Sequence, residues 1–392
     1  MMNLYHSNMM MMMTTSSREE DDDEGREDMF DRLPDALLHM ILENVRDARS
    51  LSRCLCVSKR FASFVPQIDS VSLAIVRRNR DPQQQLDSQA KKAAADGVGG
   101  GGTGKYFKRL FQRTVARPVQ FLLRVFNKKS SRGGGDDCEF EYCSLQEGLR
   151  NFSAIKSLEI ELPRNGGEIG SGNDGYPLLR WRAEFGSELE GCVILGAKSF
   201  NKTLREFKSE EQVDPSPTPS QSQTDFPLAD EDLKLRVVWT ISCLIAASAR
   251  HHLLQQVVSD HKKLRSVVVS DAIRQGKLSM KEKQIEKMRR SISNPDDPSD
   301  TVDQTAERSR IPALKMKLWY VPELELPLSG ERMEGATLVV IRPSDDNGKK
   351  ADSDGEMVAR VLGDAMDDRK LGEAVKIMMN LKRTYTLEMN SF

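Results

Sequence analysis

The chain has 392 residues, with 58 Lys and Arg against 59 Asp and Glu for a formal net charge of −1. That length holds two or three domains, and the balanced charge excludes a nucleic-acid coat protein or a uniformly acidic solvating chain. A mean hydropathy of −0.52 with 30% charged residues indicates packed domains separated by polar linkers, and six cysteines are too few for a disulfide framework, which points to a reducing compartment.

Residues 1–28 read as a disordered Met-rich and acidic leader. A methionine run, Met9 to Met13, passes directly into acid: over 18–31 there are nine Asp and Glu against Arg18 and Arg26. Without a basic stretch ahead of an apolar one, this is not a secretory signal. Further polar or Gly-rich stretches at 80–104, 129–137, 164–175, 209–228, 291–311 and 343–356 mark linkers and insertions. Interruptions this frequent argue against a compact barrel enzyme.

The block 29–75 carries the sharpest local signals. Leu33-Pro34-Asp35 is a helix start, because proline there gives up only an amide that the first turn leaves unbonded, and Asp35 complements the positive helix end. Leu37, Leu38, Ile41, Leu42 and Val45 follow at helical spacing. Asp47 and Ser50 offer caps for a second helix over 48–65. Its apolar residues fall into two stripes, Leu51, Cys54, Leu55, Ala62 and Val65 in one and Val57, Phe61 and Phe64 in the other. A short helix apolar on two sides implies either burial as a hairpin in its own domain or a partner surface.

The run Leu33-Pro34-Asp35, Leu37-Leu38, Ile41-Leu42, Leu51 and Val57-Ser58-Lys59-Arg60-Phe61 resembles an F-box. The resemblance extends to the plant F-box proteins described as auxin up-regulated, through Cys54 to Pro66, Glu190 to Lys198, Ala313 to Pro322 and Thr386 to Phe392; the acidic leader departs from that pattern. What it implies is a non-catalytic substrate receptor of an SCF-type ubiquitin ligase, tied to auxin response, docking on a Skp-type adaptor and through it on cullin and RING subunits. The resemblance assigns adaptor contact to Leu33, Pro34, Leu37, Leu38, Ile41, Val45, Leu51, Leu55, Val57, Lys59 and Phe61, and names no substrate-contact residues. The expected location is the nucleus, the cytoplasm or both.

Downstream, 80–137 reads as a Gly-rich linker with a basic amphipathic helix. Over 105–129, Lys105, Lys108, Arg109, Arg113, Arg117, Arg124, Lys128 and Lys129 meet no acid, while Phe107, Leu110, Phe111 and Val115 form an apolar stripe. Such a helix packs on a domain with its charges solvated, or else serves a peripheral membrane or calmodulin-linked protein, the alternative function. Residues 138–392 read as a leucine-rich-repeat-like α/β region for substrate recognition, with disordered insertions near 209–228 and 291–311. Leu158, Ile160 and Leu162 alternate, and Leu264, Val267 and Val269 repeat their rhythm, but 109 residues apart rather than at a repeat period. Leu233, Val237, Ile241, Leu244, Ile245 and Ser248 mark a long helix whose apolar stretch, Val237 to Ala249, is too short to span a membrane and is expected in the core with Trp239. Apolar positions from Val358 to Met378 mark two late helices feeding a last strand at Tyr385 and Leu387, an alternation that suggests parallel pairing. The fold class expected is therefore α+β, an N-terminal helical F-box followed by an irregular leucine-rich-repeat-like region with disordered linkers.

Other signals point to no chemistry. Gly99 to Lys105 resembles a phosphate loop, but Tyr106 replaces the hydroxyl residue that would hold magnesium and no strand precedes it. Cys138 and Cys143 lack the second pair that zinc requires, and His251, His252 and His261 read as helix-surface residues. No catalytic site, metal or cofactor is expected, nor nucleic acid or membrane contact. Arg290 to Pro295 resembles a 14-3-3 ligand with phosphorylated Ser293, placed in a linker.

Overall fold

The computed structural model describes residues 30, 32–75, 77–78, 141–142, 145–163, 178–202, 229–293, 309–344, 353–366 and 368–391. The leader, the Gly99–Lys105 loop, the basic stretch 105–129, Cys138, Cys143 and the insertion 209–228 lie outside them.

The chain divides into two compact units, Met1–Ile41 and Leu42–Phe392. Within the first, helix α1 (Asp35–Val45) begins as expected: the amides of Leu37 and Leu38 donate to the Pro34 carbonyl at 3.0 and 3.1 Å, and Asp35 stands in the first turn. The helix runs into the second unit and stops at Arg46, whose φ of 53° lies in the left-handed region.

The second helix expected over 48–65 is two helices, α2 (Ala48–Cys54) and α3 (Lys59–Phe64), followed by a 3₁₀ turn over Val65–Gln67. The break is a capping event. Ser58 adopts an extended backbone with φ −156°, and its hydroxyl accepts from the Phe61 amide at 3.3 Å. Asp47 caps α2, accepting from the Ser50 amide at 2.8 Å and the Ser50 hydroxyl at 2.6 Å. Each short helix buries residues of its own, Ala48 and Leu51 from α2 and Phe61 from α3, while Val57 between them stays exposed.

Strands β1 (Ser70–Ala74), β4 (Ser157–Leu162), β5 (Leu178–Phe185), β6 (Leu189–Ala197), β7 (Ser199–Lys202), β8 (Ser266–Asp271), β9 (Gly276–Met280), β10 (Leu314–Leu326), β11 (Glu331–Pro343) and β12 (Tyr385–Met389) make one sheet, in the order β1-β4-β8-β9-β5-β6-β11-β10-β12 with β7 beside β11. A separate ribbon pairs β2 (Arg77–Arg78) with β3 (Glu141–Tyr142). The two rhyming segments are neighbours in space: β4 and β8 pair in parallel with Leu158 opposite Val267, and β1 joins them with Val71 opposite Leu158. Short helix α4 (Leu145–Leu149) lies between β3 and β4 in the chain and buries Leu145 and Leu149. The parallel pairing expected at the end of the chain does not hold, since β12 runs antiparallel to β10. The fold is mixed α+β, with N-terminal helices and a large sheet.

Helices cover the centre of the sheet on both faces. Along β6, alternate side chains point to opposite sides. Val193, Leu195 and Ala197 join a core with Met357, Val358, Val361 and Leu362 of α7 (Asp354–Met366) and Leu371, Ala374, Val375 and Met378 of α8 (Arg369–Met379). The opposite face meets α5 (Asp230–Asp260), where Trp239 approaches so closely that a Cβ on Gly196 would lie 2.8 Å from its ring. By length and composition α5 is apolar enough to cross a membrane, but most of that window is buried in the fold, as a core helix requires.

The inward face of α5 differs from expectation. Leu244, Ser248 and Trp239 are buried, but Val237 is exposed and Ile241 and Ile245 are half-buried. The helix instead turns Ser242, Cys243, Ala246 and Ala247 inward, small residues that permit close approach to the sheet. The linker expected over 291–311 is also narrower: α6 (Glu282–Ser293) occupies its beginning, and Ser309 and Ile311 at its end are buried. Likewise Asp354 to Glu356, placed in a linker by composition, start α7.

Candidate functional site

The residues expected to meet an adaptor fall into two groups. Pro34, Leu37, Ile41, Val45, Val57 and Lys59 are exposed, and Leu33 and Leu55 are half-buried. Leu38, Leu51 and Phe61 are interior, so their direct effect is on packing rather than on contact with a partner. Leu37, Ile41 and Val45 follow at four-residue spacing along α1, which puts them on one side of that helix, and Met40, not singled out from the sequence, is exposed beside them. Val57 is 61% exposed in the break between α2 and α3, where the Ser58 cap presents it outside either helix.

The helices of this segment that fall in the second unit are fixed to the edge of the sheet. The Glu43 carboxylate accepts from the Asp69 amide at 2.7 Å, the Ser72 amide donates to the Arg46 carbonyl at 2.8 Å, and Asp47 bridges to Ser72. Burial alone would raise the Asp47 pKa, but the Ser50 hydroxyl and the Ser50 and Arg49 amides outweigh it and hold the carboxyl below its usual value. Asp47 therefore carries the charge that caps α2 at neutral pH.

Polar centres on α5 lie inside the second unit, and of their residues the sequence points only to His251, as a helix-surface histidine. The fully enclosed Arg236 guanidinium donates to Thr337 Oγ1, the Gly335 carbonyl and the Asp232 carboxylate at 3.1, 3.0 and 2.7 Å, and stacks on Tyr320 with 4.8 Å to the ring centroid. Burial lowers its pKa while Asp232 opposes that shift. Arg250 pairs with Asp271. His251 is not a surface histidine: it is buried, stacked on Phe185, with Nε2 2.9 Å from the Gly186 carbonyl and Nδ1 2.7 Å from Ser309 Oγ. The carbonyl can only accept, so Nε2 carries the proton and Nδ1 accepts from the serine. Each centre joins α5 to a loop or strand, and the lone signal in sequence was a charged or polar residue inside an apolar helix.

Among the described residues no group of three or more His, Cys, Asp or Glu could hold a metal ion. Cys54, Cys56, Cys192 and Cys243 are free, and burial pushes the Cys192 thiol far up and out of the reactive range. Ser293 ends α6 rather than lying in a linker, and its hydroxyl donates to the Arg289 carbonyl at 2.8 Å.

No family model matches the chain, and no solved structure matches it. Curated relatives do. F-box protein At4g18380 of Arabidopsis thaliana is 40% identical over 388 residues, covering 93% of this chain and 94% of the relative. F-box protein At1g30200 of the same plant is 38% identical over 381 residues with the same coverage. F-box protein AUF2 of Arabidopsis thaliana is 32% identical over 366 residues, which span 93% of this chain and 100% of the relative.

Proposed function

The chain belongs to the plant F-box protein family that includes AUF1 and AUF2, and from that premise we propose that it is the substrate-recognition subunit of an SCF-type ubiquitin ligase. The observation that carries this reading is the open display of Leu37, Met40, Ile41, Val45 and Val57 in the segment that resembles an F-box. These apolar side chains gain from leaving water against a Skp-type adaptor, with a few anchors supplying most of the energy.

In this role the chain performs no chemistry. It docks through 33–61, and the adaptor links it to cullin and RING subunits. The region 138–392, read as leucine-rich-repeat-like and containing the parallel pair β4 and β8, presents a target protein. Ubiquitin transfer then gains from proximity, because target lysines are held near the charged conjugating enzyme at high effective concentration.

The test is a pull-down of the full-length chain with a purified Skp-type adaptor, beside a Leu33→Ala, Pro34→Ala double variant. A stable complex that is lost in a still-folded variant is the expected result. Failure of the unaltered chain to bind the adaptor would overturn the reading.

A further inference from the structure

The two edges of the large sheet are finished differently. At the β1 edge, the Ser72 amide is taken by the Arg46 carbonyl and Asp47 bridges to Ser72. At the other, β12 is the terminal strand, and among the described residues its one strand partner is β10.

The ladder shows which backbone groups β12 leaves open. The Ser344 amide donates to the Ala313 carbonyl at 2.7 Å, one step beyond the Leu314–Pro343 pair, so Ala313 turns its backbone groups toward β11. Antiparallel strands alternate sides residue by residue, which turns Leu314, Met316 and Leu318 toward β12. Their partners Met389, Leu387 and Tyr385 are thereby engaged. Thr386 and Glu388 are left with N–H and C=O directed away from the sheet.

Beyond β12 the same alternation turns Pro322 of β10 outward, and a proline there has no N–H to offer a further strand. The strand β12 contains no proline, lysine or break in register, and the one charge it carries along this edge is Glu388. Its Tyr385, Leu387 and Met389 are half-buried on the side of Leu314, Met316 and Leu318, while Thr386 and Glu388 are exposed on the other side, where Glu388 is in register with Lys315. A strand laid along this edge would extend the apolar column on one face, and on the other would place its side chain beside the Glu388 carboxylate, where a cation is favoured.

We propose that the open edge of β12 binds an extended segment of a partner protein as an added strand, with apolar residues alternating with Lys or Arg. Backbone hydrogen bonds to Thr386 and Glu388 supply the pairing, and the Glu388 carboxylate selects the basic positions. In making this partner the target protein, the inference rests on the receptor reading, but the binding test below is independent of adaptor docking.

The test uses the full-length chain and fluorescent synthetic peptides: alternating Val–Lys, the same peptide with alternate backbone amides methylated, and alternating Val–Glu. Val–Lys should bind at least about tenfold more tightly than its methylated form, which has the same charge but lacks the strand-forming N–H groups. Thr386→Pro should remove that difference, and Glu388→Lys should shift preference to Val–Glu; a thermal melt establishes that each variant is folded. Equal binding of methylated and unmethylated peptide would overturn the proposal, as would absence of binding to the unaltered chain or a self-associated dimer in which a second copy occupies β12. Adaptor pull-down by the same preparations separates failure at this edge from failure of the receptor reading.

Discussion

Arg250 of α5 and Asp271 at the end of β8 form an ion pair at 3.0 Å with both side chains nearly enclosed. The carboxylate also accepts from the Gln275 and Gly276 amides at 2.7 and 2.9 Å, and the guanidinium lies over Trp181 with 4.6 Å to the ring centroid. Among the described residues, Arg250 Nε and Nη1 have no hydrogen-bond partner. Asp271→Ala would therefore leave a buried cation without its anion and two turn amides without an acceptor. The expected loss is about 3–5 kcal/mol in urea unfolding. Replacing both partners, Arg250→Met with Asp271→Ala, should cost less than the sum of the single changes; strict additivity would refute this coupling.

The exposed and interior members of the F-box segment should separate by assay. Ile41→Asp and Val57→Asp place a charge where water already reaches, so the thermal midpoint should stay close to that of the unaltered chain while adaptor binding falls at least about tenfold. Leu51→Ala empties an enclosed site and should cost about 2–5 kcal/mol of stability. Normal adaptor binding by both aspartate variants would exclude Ile41 and Val57 as anchors.

The helix starts and strand rhythms were legible because they are local. Pro34 and Asp35 announce α1, Asp47 announces α2, and the alternation of Leu158, Ile160 and Leu162 announces β4. Ser58 was visible only as part of a motif, since its capping role depends on backbone angles that composition does not encode. Spacing along α5 gave a helix but not its inward face: Val237 and Ile241 have the apolarity of core residues, yet close approach to Gly196 favours the face carrying Trp239 and the alanines. Pairing across 157–271 is nonlocal, and so are the partners of Arg250 and His251. A polar residue in an apolar run indicates that a partner must exist without saying where in the chain it lies.

Asp47 tests the cap directly. Asp47→Ala removes the acceptor for both Ser50 groups and should cost about 1 kcal/mol, with Asp47→Ser recovering much of it. Since its folded pKa lies below the unfolded value, its contribution is present above the ordinary carboxylate range and is lost as pH falls through the folded value. In the alanine variant that part of the acid-unfolding slope should be missing. An unchanged slope would mean that the cap is not formed by the charged carboxylate.

His251 gives pH dependence in a different window. Burial is the main cause that holds its pKa down at about 4; the Gly186 carbonyl opposes the shift and nearby His252 adds to it. Between the unfolded value of 6.5 and about 4, the unfolded chain binds a proton that the folded chain does not, so stability falls as pH is lowered through that window. Burying the neutral ring should lose about 2 kcal/mol between pH 8 and pH 5, and on the order of 3 kcal/mol once pH is below the folded value. His251→Asn should be less stable at pH 8, because the contacts to Ser309 and Gly186 are altered, but flatter over the same interval. Urea unfolding at pH 8, 6 and 5 measures both. The asparagine variant losing as much as the unaltered chain between pH 8 and 5 would assign the slope to other groups and leave His251 with a packing role alone.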